Sequence, residues 1–99
     1  MIVVTGSFRL PVEQVAQARP AMERVIVASR EEPGCLAYSY SEDVLDPGLF
    51  IVSEMWVKGD VLAQHFQMPH MEAWKAEREA FGMTDRSVTM HAVKHSTDL

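Results

Sequence analysis

The order in which strand and helix periodicities follow one another leaves few folds open to this chain of 99 residues. The pattern predicts four strands, at 2–8, 35–43, 49–57 and 87–95, and helical segments at 12–31, 60–66 and 69–81. This order predicts an α+β fold of the ferredoxin-like split βαβ type (β-α-β-β-α-β) with a four-stranded antiparallel sheet. Right-handed crossovers would place the helices on one face of that sheet.

Prolines and glycines mark where these elements end or bend. Pro33-Gly34 ends the first helix, and Pro47-Gly48 supplies a turn in which proline presets φ and glycine accepts a positive φ. Pro20 lies inside the first helix. Because the apolar stripe of that helix keeps its phase on both sides of the proline, we expect a kink there and not a break.

The third predicted strand carries apolar residues on both of its sides. Phe50, Val52 and Trp56 lie on one side, whereas Ile51 and Met55 lie on the other. A sheet with one solvated face would carry polar residues on one of these sides. We therefore expect a second copy of the chain to cover the open face of the sheet in a two-fold homodimer.

Composition excludes several classes of partner for what we expect to be a single domain over residues 1–99. The net charge is −5 and no basic stripe is present, which argues against nucleic acid. No apolar run approaches the roughly 18 residues of a membrane span, so we expect no membrane partner. Residues 1–8 lack the features of a signal peptide, and we expect a cytoplasmic protein.

Residues 53–74 hold most of the side chains that could form a site. They include Glu54, Trp56, His65, Phe66, His70 and Trp74. Imidazoles titrate near neutral pH and aromatic rings can line a pocket, so this segment is the candidate site. Other interpretations stay open: the two tryptophans are also typical of a core, and His70 of a solvated first helical turn. Glu54 beside Trp56 predicts pairing with an arginine or a backbone donor, because a buried unpaired carboxylate is costly.

The spacing of the histidines does not favour a metal site. His65 and His70 are five residues apart with Pro69 between them, unlike the facing pair of a zinc-binding helix. His91 and His95 would share a strand face but lie about 13 Å apart, too far for one ion. The glycines are isolated and form no phosphate cradle. We expect no metal and no cofactor.

Three runs resemble the antibiotic biosynthesis monooxygenase (ABM) domain family. They are EPGCLAY at 32–38, EMW at 54–56 and HFQMPHM at 65–71, and the resemblance covers nearly the whole chain. It implies a dimeric α+β barrel. Members include cofactor-free monooxygenases of phenolic, anthrone or quinol substrates, and the wider superfamily includes haem-degrading oxygenases and isomerase-like enzymes. The haem-degrading relatives use an Asn in the first strand, a Trp on the short helix and a His on the next. Here residues 4–7 contain no Asn. His65 stands where the Trp would be, and Lys75 stands roughly where the His would be.

The resemblance implies a monooxygenase that uses a small aromatic substrate and O2 without a cofactor. Ground-state O2 is a triplet that reacts slowly with closed-shell molecules, so such an enzyme must deprotonate its substrate to make it an electron donor. His65 is the candidate base, and Trp56 and Phe66 are candidate pocket walls. Tyr38, His70 and Trp74 are candidate substrate-positioning residues. A non-catalytic small-molecule-binding dimer and an isomerase-type proton-transfer enzyme remain alternatives.

Overall fold

The chain forms a four-stranded antiparallel sheet with helices packed on one face. A computed structural model describes all residues from 1 to 99. The elements are β1 (Ile2–Arg9), a single 3-10 turn (Val12–Gln14), α1 (Val15–Arg30), β2 (Cys35–Glu42), β3 (Leu49–Trp56), α2 (Gly59–His65), α3 (Pro69–Ala80) and β4 (Thr84–Ala92). The sheet order is β2-β3-β1-β4. The predicted ferredoxin-like α+β fold is confirmed. Helix α1 also continues through Pro20 without a break.

The core lies between the helices and the sheet face formed by alternate residues of each strand. Phe8 of β1 stacks on Phe50 of β3 with ring centroids 5.4 Å apart, and Tyr40 of β2 meets Phe8 edge-on at 5.3 Å. Met22 of α1 and Trp74 of α3 close this cluster from the helical side. A smaller cluster continues the core to the other end of the sheet and contains Ile2, Val4, Tyr38, Trp56 and Leu62.

A glycine after the end of α3 turns the chain toward β4. Gly82 has a φ of +85°, a left-handed conformation that glycine adopts without steric cost. The Met83 N–H then donates to the Arg78 carbonyl at 2.9 Å, which closes a Schellman cap. The cap fixes Arg78 beside the start of β4.

The predicted position of the last strand is wrong by three residues. The alternation predicts 87–95, but β4 spans Thr84–Ala92, so His95 lies beyond its end. The strand lies at the sheet edge and is largely exposed on both sides, so the polar residues at its start give no alternating pattern. A bulge also shifts the pairing of β1 with β4 between Ser7 and Arg9. The expectation that His91 and His95 share a strand face fails for the same reason.

The other face of the sheet carries no helix. Ile51 of β3 lies on this face with 40% of its surface exposed. Met55 lies on the same face, four residues further along the strand. The neighbours of Ile51 on the adjacent strands are Ser7 and Ser41. The longest helix has 16 residues, and no helix combines the length and the apolar character needed to cross a bilayer.

Candidate functional site

A buried carboxylate holds two imidazoles at the junction of three helices. Glu32 lies in the turn after α1 and is 7% exposed. Its Oε2 lies 2.6 Å from Nδ1 of His65 and 2.7 Å from Nε2 of His70. Helix α2 ends at His65, and α3 begins at Pro69, so the break between the helices lets both rings turn toward Glu32. The three residues therefore form one hydrogen-bonded unit.

This unit leaves one nitrogen of His65 available. If both imidazoles donate an N–H to Glu32, His65 carries its proton on Nδ1 and has a lone pair on Nε2. Nε2 has no hydrogen-bond partner in the protein. The ring is 1% exposed and packs against Trp56 at 4.7 Å and Tyr38 at 5.4 Å between centroids. Burial lowers the pKa of His65 although Glu32 acts to raise it, so the neutral, basic form is favoured at pH 7.

His65 borders a small cavity that meets a larger cleft. The cavity has a volume of about 30 Å³, enough for water but far below the roughly 150 Å³ that holds a benzene molecule. The adjoining cleft between the helices and β4 has a volume of about 360 Å³, within the range of ligand pockets. The two spaces share Val4, Phe66, Met71, Arg78, Arg86 and Val88. Phe66 is 38% exposed, and its ring lies where the cavity meets the cleft.

Two tyrosines and a carboxylate make one wall of the cavity polar. The hydroxyl groups of Tyr38 and Tyr40 lie 2.7 Å apart. Burial raises the pKa of Tyr40 to about 12 and raises that of Tyr38 further, so both phenols stay protonated at pH 7. Burial also raises the pKa of Glu54, whereas the hydrogen bond from Trp56 opposes this shift. That bond, from Trp56 Nε1 to Glu54 Oε1, measures 3.0 Å. The partner of Glu54 is thus an indole, and not the predicted arginine or backbone donor.

The structure brings the predicted site residues together, but not all of them at the cavity. Tyr38, His65, Phe66 and Trp74 line it. Trp56 lies behind His65 in the core and has no surface in the cavity. His70 contacts the site through Glu32 and is only partly exposed, so the interpretation of it as a solvated residue is wrong.

Sequence reasoning missed Glu32 as a member of the site. A glutamate in a turn after a helix is usually solvated, and 33 positions separate it from His65. The available signal was its place at the start of the EPGCLAY run that supports the family resemblance. In sequence, Pro69 separates the two imidazoles, whereas in the structure the break at this proline brings them to one carboxylate.

The same three residues are the only group whose donor atoms could surround a metal ion. Their donor atoms lie within 4.8 Å of one another, and two histidines with a carboxylate are typical ligands of zinc and non-haem iron. However, a single oxygen lies at hydrogen-bond distance from both nitrogens, 2.6 and 2.7 Å. This geometry is that of a carboxylate accepting two N–H groups. The expectation of no metal stays a prediction.

Comparisons with known proteins converge on one family. The family model described as antibiotic biosynthesis monooxygenase matches residues 1–77. The structure of a candidate antibiotic biosynthesis monooxygenase from Deinococcus radiodurans shares 25% identity with a TM-score of 0.93, covering 100% of this chain and 98% of that chain. A similarly described structure from Caulobacter crescentus has 21% identity and a TM-score of 0.84, with 94% and 90% coverage, and supports the fold alone.

A relative known by sequence is longer than this chain. An uncharacterised protein of Synechocystis is 33% identical over 69 residues, which cover 70% of this chain. The same residues cover 47% of the relative, so the match spans about half of that protein's length. Its description names no activity.

Proposed function

The chain belongs to the antibiotic biosynthesis monooxygenase family, and from this premise we propose that it oxygenates a small phenol-, quinol- or anthrone-like aromatic without a cofactor. The observation that carries the proposal is the Glu32–His65 pair. It provides a buried, neutral imidazole: His65 lines the cavity, and its Nε2 is free to accept a proton. Such a pair is the arrangement that a general base requires.

The first step is removal of a proton from the substrate. His65 Nε2 takes a proton from a phenolic O–H or an activated C–H, and the substrate becomes an electron-rich anion. Glu32 accepts the hydrogen bond from Nδ1 and so stabilises the imidazolium that forms. Tyr38 and Tyr40 line the same cavity, and because one of their hydroxyls donates to the other, the pair has one O–H left to donate to the developing oxyanion.

The electrons for oxygen reduction come from the substrate. The anion passes one electron to O2, and the resulting radical pair forms a C–O bond to give a peroxide. Return of the proton from His65 gives a hydroperoxide, and loss of water breaks the O–O bond and leaves a carbonyl. For an anthrone-type CH2 group the balance is CH2 + O2 → C=O + H2O, so no external reductant is needed.

The substrate must occupy the cleft as well as the cavity. A space of about 30 Å³ holds no aromatic ring, whereas the adjoining 360 Å³ does. Phe66 lines both spaces, and we propose that its ring swings outward to admit the reacting carbon toward His65. Closure of the ring over the bound substrate would exclude water from the anion.

We propose a homodimer formed through the helix-free face of the sheet. The candidate site lies on the opposite, helical face, so one chain contains all of the residues named above. The dimer would therefore stabilise the sheet that carries the site without completing the site itself.

Oxygen consumption tests the proposed function. Purified protein in metal-depleted buffer is offered a panel of hydroquinones and anthrones, and oxygen uptake is followed with an electrode. We expect uptake that depends on the protein, and a loss of about 10²- to 10⁴-fold in kcat for His65→Gln, the usual contribution of a general base. The matched control is His95→Gln, an exposed histidine beyond the end of β4.

Other outcomes point to the alternatives. Binding of these compounds without oxygen uptake would contradict the oxygenase and support a non-catalytic binding protein. Exchange of substrate protons with solvent, lost in His65→Gln but without oxygen uptake, would support an isomerase-type enzyme that uses the same base.

A further inference from the structure

Two arginines at the candidate site have no partner in the protein. Arg9, Arg19 and Arg24 each form an ion pair, and Arg30 donates to the Tyr38 carbonyl. Arg78 and Arg86 form neither an ion pair nor a side-chain hydrogen bond. They are thus the exceptions among the arginines of a chain whose net charge is −5.

These two guanidinium groups belong to the same opening. Arg78 lies in the last turn of α3 and Arg86 in β4, and both line the cavity and the adjoining cleft. Burial lowers the pKa of Arg78, and the charge of Arg86 lowers it further, so the two cations repel each other. Like charges held close together are unfavourable, and a negatively charged ligand group would reduce this cost.

One carboxylate lines the same cavity without pairing directly with these arginines. Glu54 lines the same cavity, and burial raises its pKa while the charge of Arg86 lowers it. Its Oε1 accepts the Trp56 indole N–H, and it forms no ion pair with either arginine. Lys75 also lines the cleft and pairs instead with Glu72 at 3.5 Å. Neither guanidinium at the mouth of the site therefore has a hydrogen-bonded counter-charge.

The rest of the cleft is apolar. It is lined by Val4, Leu62, Phe66, Met71, Val88 and Met90. A ligand that fits both parts has an apolar, ring-shaped body and one anionic group. A guanidinium binds a carboxylate through two parallel N–H···O hydrogen bonds, which fixes orientation as well as adding affinity.

We propose that Arg78 and Arg86 bind an ionised carboxylate on the substrate, so that the natural substrate is a hydroxylated aromatic acid and not a neutral phenol. This inference rests on the proposed function for the position of the reacting ring beside His65. The carboxylate lies at the mouth between the two arginines, and the ring extends over the apolar lining toward the cavity. The subsite gives selectivity by charge, which a purely apolar pocket cannot.

A binding experiment tests the subsite without any turnover. Calorimetric titration under nitrogen compares 6-hydroxy-2-naphthoate with its methyl ester, which has a similar shape but no charge. We expect the acid to bind about tenfold more tightly or better, the usual effect of hydrogen bonds to charged groups. Arg78→Gln and, separately, Arg86→Gln should remove most of this difference and leave the affinity for the ester unchanged. Arg78→Lys should keep part of it, because the charge remains but the planar fork is lost.

The matched control is Arg19→Gln, an exposed arginine of α1 outside the cleft, which should preserve the preference for the acid. Because Arg78 is partly buried, the exposed Arg86 provides the variant least prone to misfolding. Equal affinities for acid and ester would overturn the proposal, as would binding of neither compound or an equal weakening of both in the variants.

The subsite and the oxygenase can fail separately. Preference for the acid that depends on Arg78 and Arg86, without oxygen uptake from any substrate, would retain the subsite and reject the oxygenase. Oxygen uptake from neutral quinols, with no preference for the acid, would retain the oxygenase and reject the subsite.

Discussion

A carboxylate shared by two imidazoles determines which nitrogen of His65 can accept a proton. Without Glu32, either ring nitrogen could carry the hydrogen, and the ring could turn within its aromatic surroundings. With Glu32 in place, Nδ1 donates at 2.6 Å and Nε2 remains basic. The second donor, His70, uses the same oxygen and helps to compensate the burial of that charge. Glu32 is therefore a positioning residue, and its effect should be visible in the pH dependence of the reaction.

The pH profile of oxygen uptake should separate orientation from basicity. Burial lowers the pKa of His65, so kcat/KM of the unmodified protein should rise through an apparent pKa below the usual 6.5 or so and then stay constant. Glu32 favours the charged imidazole. In Glu32→Gln the rising limb should therefore move to still lower pH, while the plateau falls about 10- to 100-fold because the ring is no longer oriented.

Glu32→Asp, which keeps the charge, should restore part of the plateau. A rising limb that stays in place in Glu32→Gln, with only the plateau lowered, would contradict the proposed effect of Glu32 on the pKa of the base and show that its role is purely structural.

At the scale of elements, the cleft depends on how closely β4 approaches β1. Gly6 of β1 pairs with Val88 of β4, and a Cβ on Gly6 would lie 2.1 Å from the Ser87 carbonyl oxygen and 2.6 Å from Val88 Cα. These are backbone atoms that cannot move aside independently. The absence of a side chain at this position therefore sets the place of β4, and with it the place of Arg86 and Val88 in the cleft.

Gly6→Ala should destabilise the fold by about 3 kcal/mol, because β4 must move away from β1 to admit the methyl group. The measurement is urea unfolding of both proteins. Gly59→Ala is the matched control: Gly59 begins α2, and no atom lies within 4 Å of the place that a methyl group there would occupy, so alanine should stabilise the protein slightly or leave it unchanged. Equal stability of Gly6→Ala and the unmodified protein would contradict the close approach.

Strands with one buried side could be predicted from sequence, but the edge strand could not. Phe50, Val52 and Trp56 alternate because β3 lies beneath the helices, and the pattern predicts its bounds to within one residue. Thr84 to Ser87 are exposed and polar on both sides of the strand, so nothing in their polarity distinguishes strand from loop. Arg86 lies in the part of β4 that the pattern does not predict as strand, so its proximity to Arg78 could not be predicted either.

Most of the candidate site could be predicted because its residues are close in sequence. Residues 53–74 hold both imidazoles and three of the four predicted side chains that line the cavity, and the fourth, Tyr38, belongs to the EPGCLAY run that carries the family resemblance. The contact of Glu32 with His65 is tertiary, since it depends on how α1 and α2 end against each other. Composition and spacing carry no information on such a contact.

At the scale of the whole molecule, the sheet has one face covered by helices and one without cover. On the uncovered face, β3 carries a short apolar ridge of Leu49, Ile51 and Met55, interrupted by Ser53. The residues paired with Ile51 are Ser7 and Ser41, and those paired with Met55 are Val3 and Ala37. The small Ser7 and Ser41 on either side of Ile51 leave room for a second sheet to approach the middle of this face closely. An exposed apolar surface of this kind on a small chain is typical of a protein interface. A two-fold dimer would cover both copies of the ridge at once.

Ile51→Lys should convert the proposed dimer into a monomer. In an isologous contact the substitution occurs on both sides, so two lysines would be buried without a counter-charge. Light scattering after size-exclusion chromatography should give twice 11.2 kDa for the unmodified protein and 11.2 kDa for the variant. Val27→Lys is the control, because Val27 lies on α1, away from this face, with 55% of its surface exposed. The Val27→Lys variant should remain dimeric.

Thermal unfolding provides a second measurement of the same interface. The midpoint of thermal unfolding should rise with protein concentration for the unmodified protein and not for Ile51→Lys. A monomeric unmodified protein at micromolar concentration, or a dimeric Ile51→Lys variant, would show that the uncovered face does not form the interface.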